Sequence, residues 1–322
     1  MENITVLILA NPTDRELSVL EQLPNSTSIV VGNNLEAFQR AAPEARVICS
    51  WSAPPKLLEQ LWKSAPRVEW VHSRAAGLDS LLFPELVQSP VPLTNGSGVF
   101  SQSLAEFVIG AAIYFVKDFR RLIRNQTAGV WSQFDCEELA GQTMGIVGYG
   151  DIGRACARRA QAMGVRVLGL RRRPELSKGD SMVDKVYPFE GLMEMLPQCD
   201  YVVAAAPLAP GTHHMIGDAA LSVMKKTAVV MNVGRGPVID EQALIRALEA
   251  GQIRGAALDV FENEPLPAGH PFFKLENVLL SPHCTDHTKT WLADAMQFFV
   301  DNFNRFTAGQ PLKNVVDKKA GY

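Results

Sequence analysis

Short apolar runs separated by stretches of helical period recur along this 322-residue chain, and that alternation restricts its fold more than any other feature. The runs are ITVLILA, ARVICSW, VEWVHSR, MGIVGYG, VRVLGL, YVVAAAP, AVVMNVG, GAALDVF and VLLSPH. A strand with one wet face alternates apolar and polar residues, whereas these stay apolar from end to end, as strands covered on both faces do. Between them lie segments such as Asp240–Ala250, where Asp240 stands as N-cap and Gly251 follows the last helical residue. Strand and helix in alternation predict an α/β chain built on doubly wound parallel sheets. A longer pattern, Ser101 to Gln126, predicts one helix joining two domains. The amphipathic stretch TWLADAMQFFVDNFNRFTAG is expected to return the chain to the first of them.

The length suits two domains of roughly 150 residues each. A net charge of −3 gives no electrostatic reason to expect nucleic acid or an anionic membrane as partner. Cys49, Cys136, Cys156, Cys199 and Cys284 are odd in number and scattered, which fits reduced thiols better than a disulfide framework or zinc site. Ile4–Ala10 is too short for a signal segment, and no run approaches the ~18 apolar residues of a membrane span. The expectation is a cytoplasmic protein without a membrane anchor.

GIVGYGDIGRACARRA follows a strand and enters a helix, giving Gly148-x-Gly150-x-x-Gly153. The first glycine permits a tight turn, the second lets the backbone approach a pyrophosphate, and the third lets helix and strand pack closely. Gly148, Tyr149, Gly150, Asp151, Ile152 and Gly153 are therefore expected to bind a dinucleotide. About 20 residues on, an NAD-binding chain carries an acid for the ribose 2′-hydroxyl. Here the strand ends in Arg171, Arg172 and Arg173. A guanidinium meets a 2′-phosphate with charge-assisted hydrogen bonds, so NADP(H) is expected to be preferred, with NAD(H) still possible. Arg171 or Arg172 is the expected direct contact, and Arg173 contributes to the field.

Downstream, NVGRGPVID, ALDVFENEP and SPHCTDHT each close an apolar strand and offer Arg235, Glu264 and His283. Singly, each has a structural explanation: a turn cap, a surface carboxylate, a strand-end histidine. At three successive strand ends they suit reduction of a 2-keto acid. Arg235 would grip the carboxylate and polarise the carbonyl, His283 would donate the proton, and Glu264 would orient the imidazole.

The motifs SLAEFVIG, LAGQTMGIVGYGDIG, PLAPGTHHMIG, MNVGRGPVID, ALDVFENEPLP and LLSPH, in this order, make the chain resemble the D-2-hydroxyacid dehydrogenase family. The resemblance implies Arg235, Glu264 and His283 as catalytic residues. It also implies Pro207 and Thr212 along the cofactor, with which Val233 is grouped, and Asp259 near the nicotinamide. SRAAGLD is implied as the substrate loop, with Arg74, Ala76 and Gly77 facing the carboxylate. The implied layout is a Rossmann cofactor domain, 101–287, inserted into a flavodoxin-like substrate domain, 1–100 and 288–322. A homodimer through the cofactor domain is implied as well; Trp131 either reaches that interface or is buried in its own subunit.

Two stretches depart from the family pattern. The arginines replace its common Asp, and CTDHT follows His283 where small residues are frequent. Cys284 reads as a packed thiol, and His213–His214 has no carboxylate or cysteine at ligand spacing, so no metal site is expected. The expected function is NADPH-dependent reduction of small 2-keto acids such as glyoxylate and hydroxypyruvate to D-2-hydroxy acids. The alternatives are an NAD-dependent D-2-hydroxyacid dehydrogenase for bulkier acids, with Trp51, Trp70, Trp131 and Trp291 available to narrow its pocket, and a corepressor-like cofactor-sensing scaffold.

Overall fold

A computed structural model describes residues 3–54 and 56–321, and each of the apolar runs contains a strand in it. The chain divides into two units. One takes the chain up to Phe100 and again from Lys289 onward, and the other is Ser101–Thr288. In the first unit β1 (Ile4–Leu9), β2 (Thr27–Gly32), β3 (Ala45–Ser50), β4 (Trp70–Ser73) and β5 (Leu93–Asn95) pair in parallel in the order β2-β1-β3-β4-β5. The second holds β6 (Thr143–Val147), β7 (Arg166–Leu170), β8 (Lys185–Tyr187), β9 (Tyr201–Ala204), β10 (Val229–Asn232), β11 (Gly255–Leu258) and β12 (Val278–Leu280). Their order is β12-β11-β10-β9-β6-β7-β8, again all parallel. From β6 the chain first builds outward through β7 and β8, then crosses back to β9. The loops after β6 and β9 therefore diverge, and such a switch point is where open parallel sheets take ligands.

β2, β5 and β8 have no continuous apolar run to announce them. All three are edge strands, two of them only three residues long, and β2 leaves two of its residues exposed. An edge needs less two-sided burial and so leaves a weaker pattern. The predicted single helix over 101–126 is two, Ser101–Val116 and Phe119–Thr127. Between them Asp118 takes a left-handed φ of 47° and its carboxylate accepts from Arg121 N, capping the second helix. The Phe115 carbonyl at the break accepts from Asp118 N at 3.3 Å and from the Arg254 guanidinium at 2.6 Å. The Asp240 cap is as read: its carboxylate accepts from Ala243 N at the start of Glu241–Glu249, and Gly251 lies beyond the end with φ +61°. Among the described residues, no helix is long and apolar enough to cross a membrane.

The helix Trp291–Thr307 belongs to the first unit and covers its sheet, stacking Phe299 on Trp70 at 5.4 Å. Beside that pair His72 is fully buried. Its Nδ1 shares a 2.8 Å hydrogen bond with the Thr94 hydroxyl, which also accepts from Trp70 Nε1, and its Nε2 has no partner. Burial lowers the His72 pKa from 6.5 to about 3. The unfolded chain therefore binds a proton that the folded chain refuses. Stability is full above pH 6.5 and falls as the pH drops toward 3. Between pH 6.5 and pH 5 the expected loss from this residue is about 2 kcal/mol. Urea titrations at the two pH values should show that loss in the native protein and not in a His72→Gln variant; equal losses in both would refute the assignment.

Candidate active site

The turn after β6 is shaped by contacts that exclude side chains. Gly148 has φ +94°, and a Cβ there would stand 2.4 Å from Ala206 N on the loop after β9. The Gly148 and Tyr149 amides both donate to Leu170 O, tying the turn to the end of β7. At Gly153 a Cβ would press on Gly148 O and Ile146 at 3.0 Å, so helix Asp151–Ala162 packs directly on its strand. Gly150 is different. Its φ of −110° is open to any residue, and a Cβ there would meet no protein atom within 4 Å. The packing of the chain does not require glycine at this point, but close approach of a pyrophosphate to a helix N-terminus does. The residues present fit a dinucleotide.

Beside Gly150 lies a cavity of about 450 Å³, lined among others by Asp151, Arg154, Arg171, Lys178 and Asp180. Arg171 is half-buried and its guanidinium donates to the Ser177 hydroxyl at 2.7 Å. Arg172 and Arg173 are exposed and do not line the cavity, so of the three arginines the fold brings only Arg171 there. Arg154 and Lys178 line it without a sequence signal of their own. Arg154 pairs with Asp180 at 2.8 Å, and the Tyr149 hydroxyl donates to the same carboxylate. Burial, reinforced by Asp180, holds the Tyr149 hydroxyl in its protonated form. Thr212 closes its own loop: its hydroxyl donates to Pro207 O and accepts from Ala209 N. Val233 is buried where β10 ends.

Arg235 stands between glycines that its surroundings demand. A Cβ on Gly234 would lie 2.8 Å from Ala206 O, and one on Gly236 would overlap the Phe261 backbone at 1.9 Å. Asn232, another residue without a sequence signal, braces the turn by donating to Arg235 O and accepting from Gly234 N. The turn thus packs on the segment that carries Glu264. Glu264 Oε1 accepts from Phe261 N, and its Oε2 lies 2.6 Å from His283 Nδ1. A carboxylate can only accept, so Nδ1 carries a proton and Nε2 is the nitrogen left for chemistry.

His283 holds a left-handed φ of 53°, which a non-glycine residue keeps only when its surroundings fix it. Asp259 supplies that fixation. It is 1% exposed, and its carboxylate accepts from Cys284 N, Thr285 N and the Thr285 hydroxyl. Both its oxygens are therefore committed to positioning the segment after His283. Two residues beyond Cys284, Asp286 has one carboxylate oxygen buried without a hydrogen bond, 3.6 Å from His287 Nε2, and burial raises its pKa. Cys284 is exposed rather than packed: CTDHT stands out in sequence, yet its spacing says nothing of either burial or partner.

In the other unit, Arg74 follows β4. Its guanidinium lies 5.6 Å from the Trp51 ring centroid and 5.4 Å from that of Trp291, a cation–π setting on two sides. Asn95 donates to Ala76 O, fixing the loop that presents Ala76 and Gly77. Trp70 is fully buried in its own core, whereas Trp131 is 96% exposed, which overturns its burial within its own subunit.

The profile of the family described as D-isomer specific 2-hydroxyacid dehydrogenase, NAD binding domain, matches residues 109–285. A glyoxylate reductase of Korarchaeum cryptofilum is 34% identical over 266 residues, covering 81% of this chain and 79% of that enzyme. That of Thermococcus gammatolerans is 34% identical over 274 residues, with the same coverage. Among solved structures, a D-isomer specific 2-hydroxyacid dehydrogenase from Xanthobacter autotrophicus Py2, in complex with NADPH and MES, superposes with a TM-score of 0.85. It is 30% identical and both chains are covered in full. An NADPH-dependent glyoxylate/hydroxypyruvate reductase from Sinorhizobium meliloti, in complex with NADP and sulfate, gives 0.82 at 25% identity, over 99% of this chain and 100% of that one.

Proposed function

The chain belongs to the D-isomer specific 2-hydroxyacid dehydrogenase family, an NAD(P)-dependent oxidoreductase, and from that premise we propose that it reduces small 2-keto acids, glyoxylate and hydroxypyruvate first, to D-2-hydroxy acids with NADPH preferred. The observation that carries the reading is the 2.6 Å contact of Glu264 with His283, at the carboxyl edge of a parallel sheet whose glycine turn fits a dinucleotide. A reduced nicotinamide, when bound, supplies hydride. The chain supplies the rest. His283 Nε2–H gives its proton to the carbonyl oxygen, which becomes the hydroxyl of the product. Glu264 accepts from Nδ1–H throughout, holding the ring and offsetting the charge of its protonated form. Arg235 holds the carboxylate and draws electron density toward the carbonyl oxygen.

For the cofactor, the guanidinium of Arg171 and the ammonium of Lys178 in one cavity favour a 2′-phosphate over a hydroxyl. Arg171→Ala is expected to weaken NADPH binding about tenfold or more, as loss of a charged hydrogen bond does, and NADH by less than about twofold. Equal weakening of both would mean that Arg171 supports the loop rather than the phosphate. Arg173→Ala should change neither.

The connector after Phe119–Thr127 leaves Trp131 96% exposed and Val130 51% exposed, beside the exposed Phe119, Leu122 and Ile123 of the helix. Apolar area of this kind calls for a cover, and we assign it to a second copy of the chain, giving a homodimer through the cofactor-binding unit. Sedimentation should return twice the chain mass for the native protein and the single mass for Trp131→Asp. A monomeric native protein would rule the dimer out.

A further inference from the structure

His213–His214 has no metal-ligand partner within reach along the sequence, but the fold supplies two. His214 lies on the loop after β9, Asp240 caps the helix Glu241–Glu249, and Glu262 follows β11. Their ligating atoms all lie within 4.8 Å of one another. Each is held from outside the trio. His214 is anchored by its own amide, which donates to Pro237 O at 2.8 Å. Asp240 commits Oδ1 to Ala243 N. Glu262 is clamped to Glu241 both ways, its amide donating to Glu241 Oε1 and its Oε1 accepting from Glu241 N. The His213 ring stacks on that of His214, 4.0 Å between centroids.

We propose that His214, Asp240 and Glu262 form a binding site for one divalent transition-metal ion of borderline character, with Zn²⁺, Co²⁺ and Ni²⁺ as the class. One imidazole and two carboxylates suit such ions. The set contains no thiolate to select a soft metal, and its nitrogen disfavours Mg²⁺, which keeps to oxygen ligands. Bonds of about 2 Å place neighbouring ligand atoms about 3–4 Å apart, so the trio closes on an ion with little rearrangement. Two carboxylates balance the charge of the dication, and a three-residue set leaves room for water. His214 Nε2 now sits 2.8 Å from Glu262 Oε1; the ion would take the place of that hydrogen bond, with any ring proton carried on Nδ1. The bound ion would link the segment that also bears Glu264 to two other loops of its unit.

The test is calorimetric titration of the EDTA-stripped 322-residue chain with Zn²⁺, repeated with Co²⁺ while recording the absorption spectrum. Two variants preserve the backbone. His214→Asn suits the left-handed φ of 51°, and Asp240→Ser keeps an N-cap oxygen. The expected result is one equivalent bound, affinity lowered about tenfold or more in each variant, and a Co²⁺ spectrum without thiolate charge transfer. Absence of binding up to about 1 mM would overturn the site. So would affinities unchanged in both variants, or a thiolate band, which would place the ion on the exposed Cys136 or Cys284.

Discussion

Replacing His283 with Ala is expected to lower kcat for keto-acid reduction about 10³-fold, the weight of a positioned general acid. In energy that is about 4 kcal/mol of transition-state stabilisation. The size of the effect follows from how fully the residue is prepared. Glu264 Oε2, 2.6 Å from Nδ1, fixes the ring and its tautomer. Asp259 holds the following segment by three hydrogen bonds. Water reaching the truncated site is a weaker and unoriented acid. Cofactor affinity should stay within about twofold, because the glycine turn and Arg171 belong to other strand ends. Ala carries some strain at a φ of 53°, so His283→Asn, which accepts that conformation but cannot act as the acid, should lose as much. Turnover near the native rate in either variant would remove His283 from the mechanism.

Arg235→Ala is expected to cost about 10²–10³-fold in kcat/KM, comparable to loss of one preorganised donor to a developing oxyanion. A rise in KM with unchanged kcat would mean that Arg235 only holds the carboxylate; the proposed polarisation of the carbonyl requires kcat to fall as well. Arg235→Lys should restore little. A lysine offers a point charge rather than two parallel donors, and the Gly234–Gly236 turn is tightened around the arginine backbone by Ala206 and Phe261. Unchanged kinetics in Arg235→Ala would contradict the assignment.

The parts of this site legible in sequence are those whose chemistry is local. A glycine that must leave space, a titratable residue just past an apolar run and a helix cap each show within a few positions, as at Gly148, His283 and Asp240. What the sequence hides is convergence. For Asp259 the resemblance implies a place near the nicotinamide, and only the fold brings Cys284 and Thr285 to it. Lys178 has no motif, yet it shares a cavity with Arg171, whereas Arg172 and Arg173, equally prominent in the run, stay outside. Asp240 and Glu262 are 26 and 48 residues from His214, beyond any spacing rule. The edge strands β2, β5 and β8 and the helix break at Asp118 leave little sequence signal for a related reason. Each depends on a neighbour or a cap more than on an apolar pattern of its own.

The central claim is reduction of a small 2-keto acid with NADPH, and parallel assays test it most directly. Oxidation of NADPH and of NADH would be followed with glyoxylate, hydroxypyruvate, pyruvate and phenylpyruvate. The predicted result is the highest kcat/KM with NADPH and glyoxylate or hydroxypyruvate. A clear NADH preference, or turnover confined to phenylpyruvate, would contradict it.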